Sequence, residues 1–178
     1  METTPDPDRD LASQLRDSAG REWAEEAAED ETQTEVLRQR QMDLLAVAED
    51  AAHRGDRATA EMGDSTVSGP IISTGTDYLT IALAEQEADV LFSAGIWAFV
   101  PGDNPSTGPK QSGMSFLGLL KQHAGTGMRV RIELEGGRVV LGVLKLVSSD
   151  HLRIEDPDGR LAYVPTINVR AVIRSSSH

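Results

Sequence analysis

The chain has no cysteine among its 178 residues, so neither a disulfide framework nor a thiolate metal site is open to it. No apolar run approaches the roughly 20 residues that a helix needs to cross a bilayer. The opening residues, Met1 to Asp8, are acidic and lack an apolar core, so they do not read as a signal peptide, and the expected location is the cytoplasm. Catalytic spacings are missing as well. His53, His123, His151 and His178 are far apart, and no two share the i, i+4 spacing that places imidazoles on one helical face for a metal. Gly125-Thr126-Gly127 has no following Lys-Ser/Thr and no preceding strand, so it is not a phosphate loop, and no G-x-S-x-G nucleophile elbow occurs. Aromatic residues make up only 4% of the chain, which leaves little for stacking on bases.

What is present is a repeat. Leu44 to Val100 can be laid over Phe116 to Arg174, with Gly55 on Gly127 and Arg57 on Arg129. After one extra residue in the second copy, Gly69 falls on Gly142, Asp77 on Asp150, Leu79 on Leu152 and Ile81 on Ile154. Ile96 to Val100 then overlies Val169 to Ile173. Each copy spans about 60 residues, near the lower size at which a domain buries enough apolar surface to fold alone, so contact between the copies is expected.

Charge is spread unevenly around a net of -12. Residues 1–54 carry a net of -9, residues 55–114 a net of -6, and residues 115–178 a net of +3. Only the last third has the Lys/Arg excess that phosphate contacts require.

Residues 1–8 read as a tail and residues 9–54 as an acidic helical segment that stops at Gly55. Residues 55–101 switch to short strands: Arg57 to Glu61, Val67 to Ser73, Tyr78 to Leu83, Asp89 to Phe92 and Ile96 to Val100. Residues 102–114 are a linker by composition. In residues 115–175, Ser115 caps a short helix over Phe116 to His123, and five further strands follow. Val130, Ile132 and Leu134 alternate inward while Arg129, Arg131 and Glu133 face out. Gly142 permits the bend that a small closed sheet needs. The expected fold class is α+β, mostly β: an acidic helix, then two tandem five-stranded barrels, the second with its own leading helix.

The elements Val140-Leu141-Gly142-Val143-Leu144, Asp150-His151-Leu152-Arg153-Ile154 and Val172-Ile173-Arg174 resemble those of the Sm and Sm-like barrels. The first copy keeps Val67-Ser68-Gly69-Pro70-Ile71 and Asp77-Tyr78-Leu79-Thr80-Ile81 but closes on Phe99-Val100-Pro101. The chain is also similar to a group of actinobacterial proteins that place an acidic helix before two such barrels. The resemblance implies association edge to edge through fourth and fifth strands, so a protein partner or self-association through strand edges is the expected partnership. The Asn and the Arg-Gly pair that build the nucleotide pocket of RNA-binding relatives are missing: the matching stretches read Asp150-His151-Leu152 and Ile173-Arg174-Ser175.

Several residues merit weighing as sites. Asp77 and Asp150 recur at one position of the repeat, but Asp commonly precedes a strand because its carboxylate bonds nearby amides. Arg129, Arg131, Arg138, Lys145, Arg153, Arg170 and Arg174 lie on strands or turns of the second copy, and the even spacing of Arg170 and Arg174 suggests a shared face. That stripe fits a phosphate backbone or a partner protein. Trp97 and Phe99 read as core or as packing between the copies, and Trp23 on the acidic segment as packing against a neighbouring domain. The reading is a non-enzymatic interaction or scaffold protein with no cofactor, metal site or small-molecule substrate. The alternative is a regulatory RNA- or DNA-binding protein using the basic face, with the acidic helix autoinhibitory.

Overall fold

The computed structural model describes residues 43–102 and 108–175; Trp23 and most of the acidic segment lie outside them. Helix α1 (Leu44–Arg54) starts where the Asp43 carboxylate accepts a hydrogen bond from the Ala46 amide at 2.8 Å, and it ends at Gly55 with φ of 81°. Its buried stripe is Ala48, Ala51 and Ala52, small side chains that let the helix settle on the sheet. Strands β1 (Arg57–Met62), β2 (Ser65–Thr74), β3 (Tyr78–Ala82), β4 (Gln86–Leu91) and β5 (Ile96–Val100) follow. A two-residue strand, β6 (Lys110–Gln111), precedes helix α2 (Phe116–His123). Then come β7 (Arg129–Leu134), β8 (Val139–Val147), β9 (His151–Glu155), β10 (Leu161–Pro165) and β11 (Val169–Ser175).

These strands do not close into two barrels, which corrects the expectation from sequence. They form one open sheet in the order β10-β9-β8-β7-β11-β4-β3-β2-β1-β5, antiparallel throughout, with β6 added in parallel to β2. The physical reason lies in β11. It pairs with β7 of its own run on one side and with β4 of the other run on the other side, so the two runs share a backbone ladder. The strand placements themselves match the sequence reading closely. The exception is β6, hidden in a stretch whose Pro and Gly content reads as linker.

The cores are shared in the same way. The first contains Leu79, Ile81, Ala88 and Val90 and takes Ala171 and Ile173 from β11. The second contains Ile132, Leu144, Leu152, Ile154 and Val172 and takes Tyr78 from β3. From Ala171 onward, alternation along β11 therefore sends Ala171 and Ile173 into the first core and Val172 into the second, while Val169, before a bulge, also joins the second.

Two glycines permit the close strand crossings. A Cβ on Gly69 would stand 2.0 Å from the Ala82 carbonyl oxygen, and one on Gly142 would stand 2.3 Å from that of Glu155. Register shifts fall just beyond each, at Ile71/Ser73 and Leu144/Leu146, where a bulge bends the strand. A further shift between Val169 and Ala171 moves β11 against β7. In these registers Ile96 occupies the place of Ala171 rather than Val169, so the overlay of the closing strands slips by two residues, one of which this shift supplies.

The seam between β11 and β4 holds a buried charge cluster. Arg174 Nε donates to Asp89 Oδ2 at 2.7 Å, and Arg174 Nη1 lies 2.5 Å from Glu87 Oε2. The Thr80 hydroxyl donates to Asp89 Oδ1 at 2.8 Å. Burial opposes the Arg174 charge, but the hydrogen bonds and charges of Asp89 and Glu87 outweigh it and raise its pKa above the ordinary value. Removing one partner of a buried pair strands the other without compensation. Asp89→Ala should therefore cost roughly 3–5 kcal/mol in urea unfolding, whereas replacing the whole cluster, Glu87→Leu and Asp89→Leu with Arg174→Met, should recover most of it.

Candidate interaction surface

Each end of the sheet is a strand with one side left over. Strand β10 pairs only with β9, and β5 pairs only with β1. Among the described residues, nothing takes up the outer backbone of either strand. An unpaired edge is a template for another strand, and soluble proteins usually blunt it with charge or proline. Here the edges carry apolar groups in the open: Ile96 is 72% exposed, Val100 49%, Leu161 52% and Tyr163 61%. Ile167, on the turn between β10 and β11, is 79% exposed.

The inward side chains of β5 are anchored. The Trp97 indole N–H donates to the Phe92 carbonyl at 3.0 Å, and its ring stacks on Phe99 with centroids 6.2 Å apart. Both rings pack on the first core. On β10, Val164 is buried in the second core, and the outward Tyr163 ring lies 5.7 Å from the His151 ring.

The seven cations singled out in the sequence are not assembled into one free surface. Arg131 Nε bonds Glu133 at 2.7 Å, Lys145 Nζ lies 2.5 Å from Glu155, and Arg170 Nη2 lies 2.9 Å from Glu135. Arg174 is buried in the seam. The bulge at Val169/Ala171 breaks the parity between Arg170 and Arg174, so they do not share a face. Glu133, expected to face out, is buried between Arg131 and the Ser65 hydroxyl, which donates to it at 3.0 Å. Among the described residues, Arg129, Arg138 and Arg153 form no ion pair. Arg129 and Arg131 border a shallow cleft of about 600 Å³ that also presents Leu141, Glu155 and Asp156.

The recurrent aspartates have separate tasks. Asp77 Oδ1 accepts from the Phe116 amide at 2.6 Å, fastening the start of α2 to the strand pair β3–β4. Asp150 Oδ1 lies 2.7 Å from His151 Nδ1, and that hydrogen bond, with a smaller contribution from Ser148, holds its carboxyl below the usual range. Nearby, burial raises the pKa of the Tyr78 hydroxyl, which is hydrogen-bonded to Ser112 at 3.0 Å.

Sequence reasoning missed Glu87, Asp89, Ile96 and Leu161. A signal existed for Ile96: the run Ile96-Trp97-Ala98-Phe99-Val100 is apolar at every position, which is the mark of a strand covered on both faces. Asp89, set between Ala88 and Val90, carried a similar hint of a buried polar partner.

His123 closes helix α2, and its Nε2 is buried without a hydrogen-bond partner. Burial, and then the Arg174 charge, lower its pKa despite the opposing effect of Asp89 and Glu87. With the folded value below the unfolded one, the unfolded chain binds more protons through that window. The stability tied to neutral His123 is complete above the ordinary histidine pKa and is lost as pH falls below it. Urea midpoints taken from about pH 7.5 to about pH 5.5 should fall more steeply for the native chain than for His123→Gln.

Among the described residues, no helix is long and apolar enough to cross a membrane. Neither a protein-family model nor a curated protein matches this chain, so the function must be read from the edges, the seam and the charge pattern themselves.

Proposed function

We propose that the protein is a non-enzymatic interaction protein, whose continuous sheet is a rigid platform and whose end strands receive an extended segment of a protein partner. The observation that carries this reading is that, among the described residues, β5 and β10 combine an unpaired outer backbone with exposed apolar side chains. Backbone hydrogen bonds supply affinity in strand addition, and alternate side chains supply specificity. The charged groups support the same reading, because Asp77, Asp89, Glu133 and Arg174 are committed to holding the fold.

The alternative, a regulatory nucleic-acid-binding protein using the basic face, has less support. Arg131, Lys145, Arg170 and Arg174 each face a carboxylate, and Tyr163 is the sole aromatic residue on the strands β7 to β11. A photo-crosslinking amino acid placed in turn at Ile96, Tyr163 and Arg138 of the full chain, in cells of its source, separates the two. Protein adducts at Ile96 or Tyr163 that survive nuclease are expected. Adducts confined to Arg138 and abolished by nuclease would instead establish the nucleic-acid reading.

A further inference from the structure

Helix α2 is led in by a strap, residues 108–115, that is fastened to the far end of β2. Within it β6 runs parallel to β2, with Lys110 opposite Ser73 and Gln111 opposite Thr74. The Ser112 amide then donates to the Thr74 carbonyl at 2.9 Å, and the Thr76 amide donates to the Met114 carbonyl at 2.9 Å. The Phe116 amide follows, held by the Asp77 carboxylate. Alternate residues, Ser112, Met114 and Phe116, thus act as donor, acceptor and donor. Phe116 opens the helix and lies edge-on to the Tyr78 ring, with centroids 6.0 Å apart.

The second run builds the same turn. Val147 pairs with Leu152 as Thr74 pairs with Leu79. The Ser148 amide donates to the His151 carbonyl as the Gly75 amide does to that of Tyr78. The Thr166 amide donates to the Asp150 carbonyl as the Phe92 amide does to that of Asp77. Val147, Ser149, Asp150 and His151 therefore stand where Thr74, Thr76, Asp77 and Tyr78 do. Here, among the described residues, no strap is seated. The chain leading into β7 accompanies β8 only as far as Leu144, which bonds Met128 and Gly125, and no strand follows beside Leu146 and Val147 on that side. Leu146 is 38% exposed and the Asp150 side chain 81%.

We infer that this turn receives an extended segment of a partner protein that passes into a helix, in the register the strap keeps on β2. The first residue of the segment donates its amide to the Val147 carbonyl, the third accepts from the Ser149 amide, and the fifth opens the helix. The amide of the fifth goes to the Asp150 carboxylate, which also suits the positive end of the helix dipole. Its side chain is aromatic or apolar, because His151 offers its ring where Tyr78 offers one to Phe116. Leu146 replaces Ser73, whose hydroxyl donates to the Lys110 carbonyl at 2.8 Å, so the residue two places before the first is apolar. Donor, acceptor and donor at alternate residues is the pattern of an extended peptide, which selects protein over nucleic acid. The place lies inside the sheet, apart from the outer backbone of β5 and β10, and goes beyond the strand-edge function proposed for them.

A synthetic peptide copying residues 109–123, with Lys110→Leu to suit Leu146, is titrated into the isotopically labelled full chain and followed by amide NMR. The chain's own strap already fills the β2 site, so only the turn from Val147 to His151 is open to the peptide. Amide signals of Val147, Ser149 and His151 should shift and saturate, while those of Thr74, Thr76 and Tyr78 stay in place. Asp150→Ala, at an exposed position and checked for an unchanged spectrum away from the turn, should weaken binding about tenfold, the worth of one charge-assisted hydrogen bond. Asp150→Asn keeps an acceptor and should recover part of that loss. A peptide N-methylated at Ser112 lacks the first donor and should no longer saturate. No shift at the turn, shifts confined to Thr74, Thr76 and Tyr78, or binding indifferent to both Asp150→Ala and the N-methyl group would overturn the inference. Crosslinking at Ile96 reports on β5 alone, so the strand-edge function stands or falls separately.

Discussion

The contact between Arg174 on β11 and Asp89 and Glu87 on β4 is the one on which the rest of the sheet depends. It lies where two runs of strands meet, away from water, and its lone pairs and N–H groups are shared among Arg174, Asp89, Glu87 and Thr80. A buried ion pair is weak evidence for net stability but a strong constraint on geometry, since any shift of register strands a charge. A slip of one residue between β11 and β4 would turn Arg174 away from Asp89 and send Ile173 out of the first core. The seam thus sets both which strands neighbour one another and how they align.

The open sheet follows from that choice. Once β11 is committed to β4, and each core accepts side chains from the other run, the halves cannot separate without exposing Tyr78, Ala171 and Ile173. The cost is transferred to the ends, where among the described residues β5 and β10 keep an unused row of backbone groups. The chain meets the inner edges with charge and leaves the outer edges apolar. That asymmetry in otherwise corresponding strands is what gives the ends a different role from the seam.

Much of the local structure was legible in residue order. Asp43 apart, the helix signals were visible in advance: Gly55 as a stop and Ser115 as a cap, the latter accepting from the Gly118 amide. The residues Asp156-Pro157-Asp158-Gly159 favour a turn, and Asp156 receives the Asp158 and Arg160 amides there. Gly142 reads as a bend in its strand, and the close approach of the Ala82 and Glu155 carbonyls to Gly69 and Gly142 is a further reason for glycine that the structure supplies. The basic stripe was less legible, because strand parity predicts which side chains share a face only while the ladder is regular. The bulge at Val169/Ala171 broke that parity for Arg170 and Arg174.

The sequence by itself determined most of the elements: nearly every strand, the end of the first described helix at Gly55, the second with its Ser115 cap, and the recurrence of one strand plan. These depend on contacts a few residues apart, where periodicity, glycine and capping side chains act. Tertiary structure alone decided that the ten main strands make one open sheet rather than two barrels, that Arg174 belongs to a seam rather than a surface, and that Ile96 and Tyr163 lie on the end strands of the described sheet. Those outcomes turn on which distant strand takes the second side of β11. That choice is made by the burial of Asp89 and the sharing of two cores, and no local pattern in the chain encodes it.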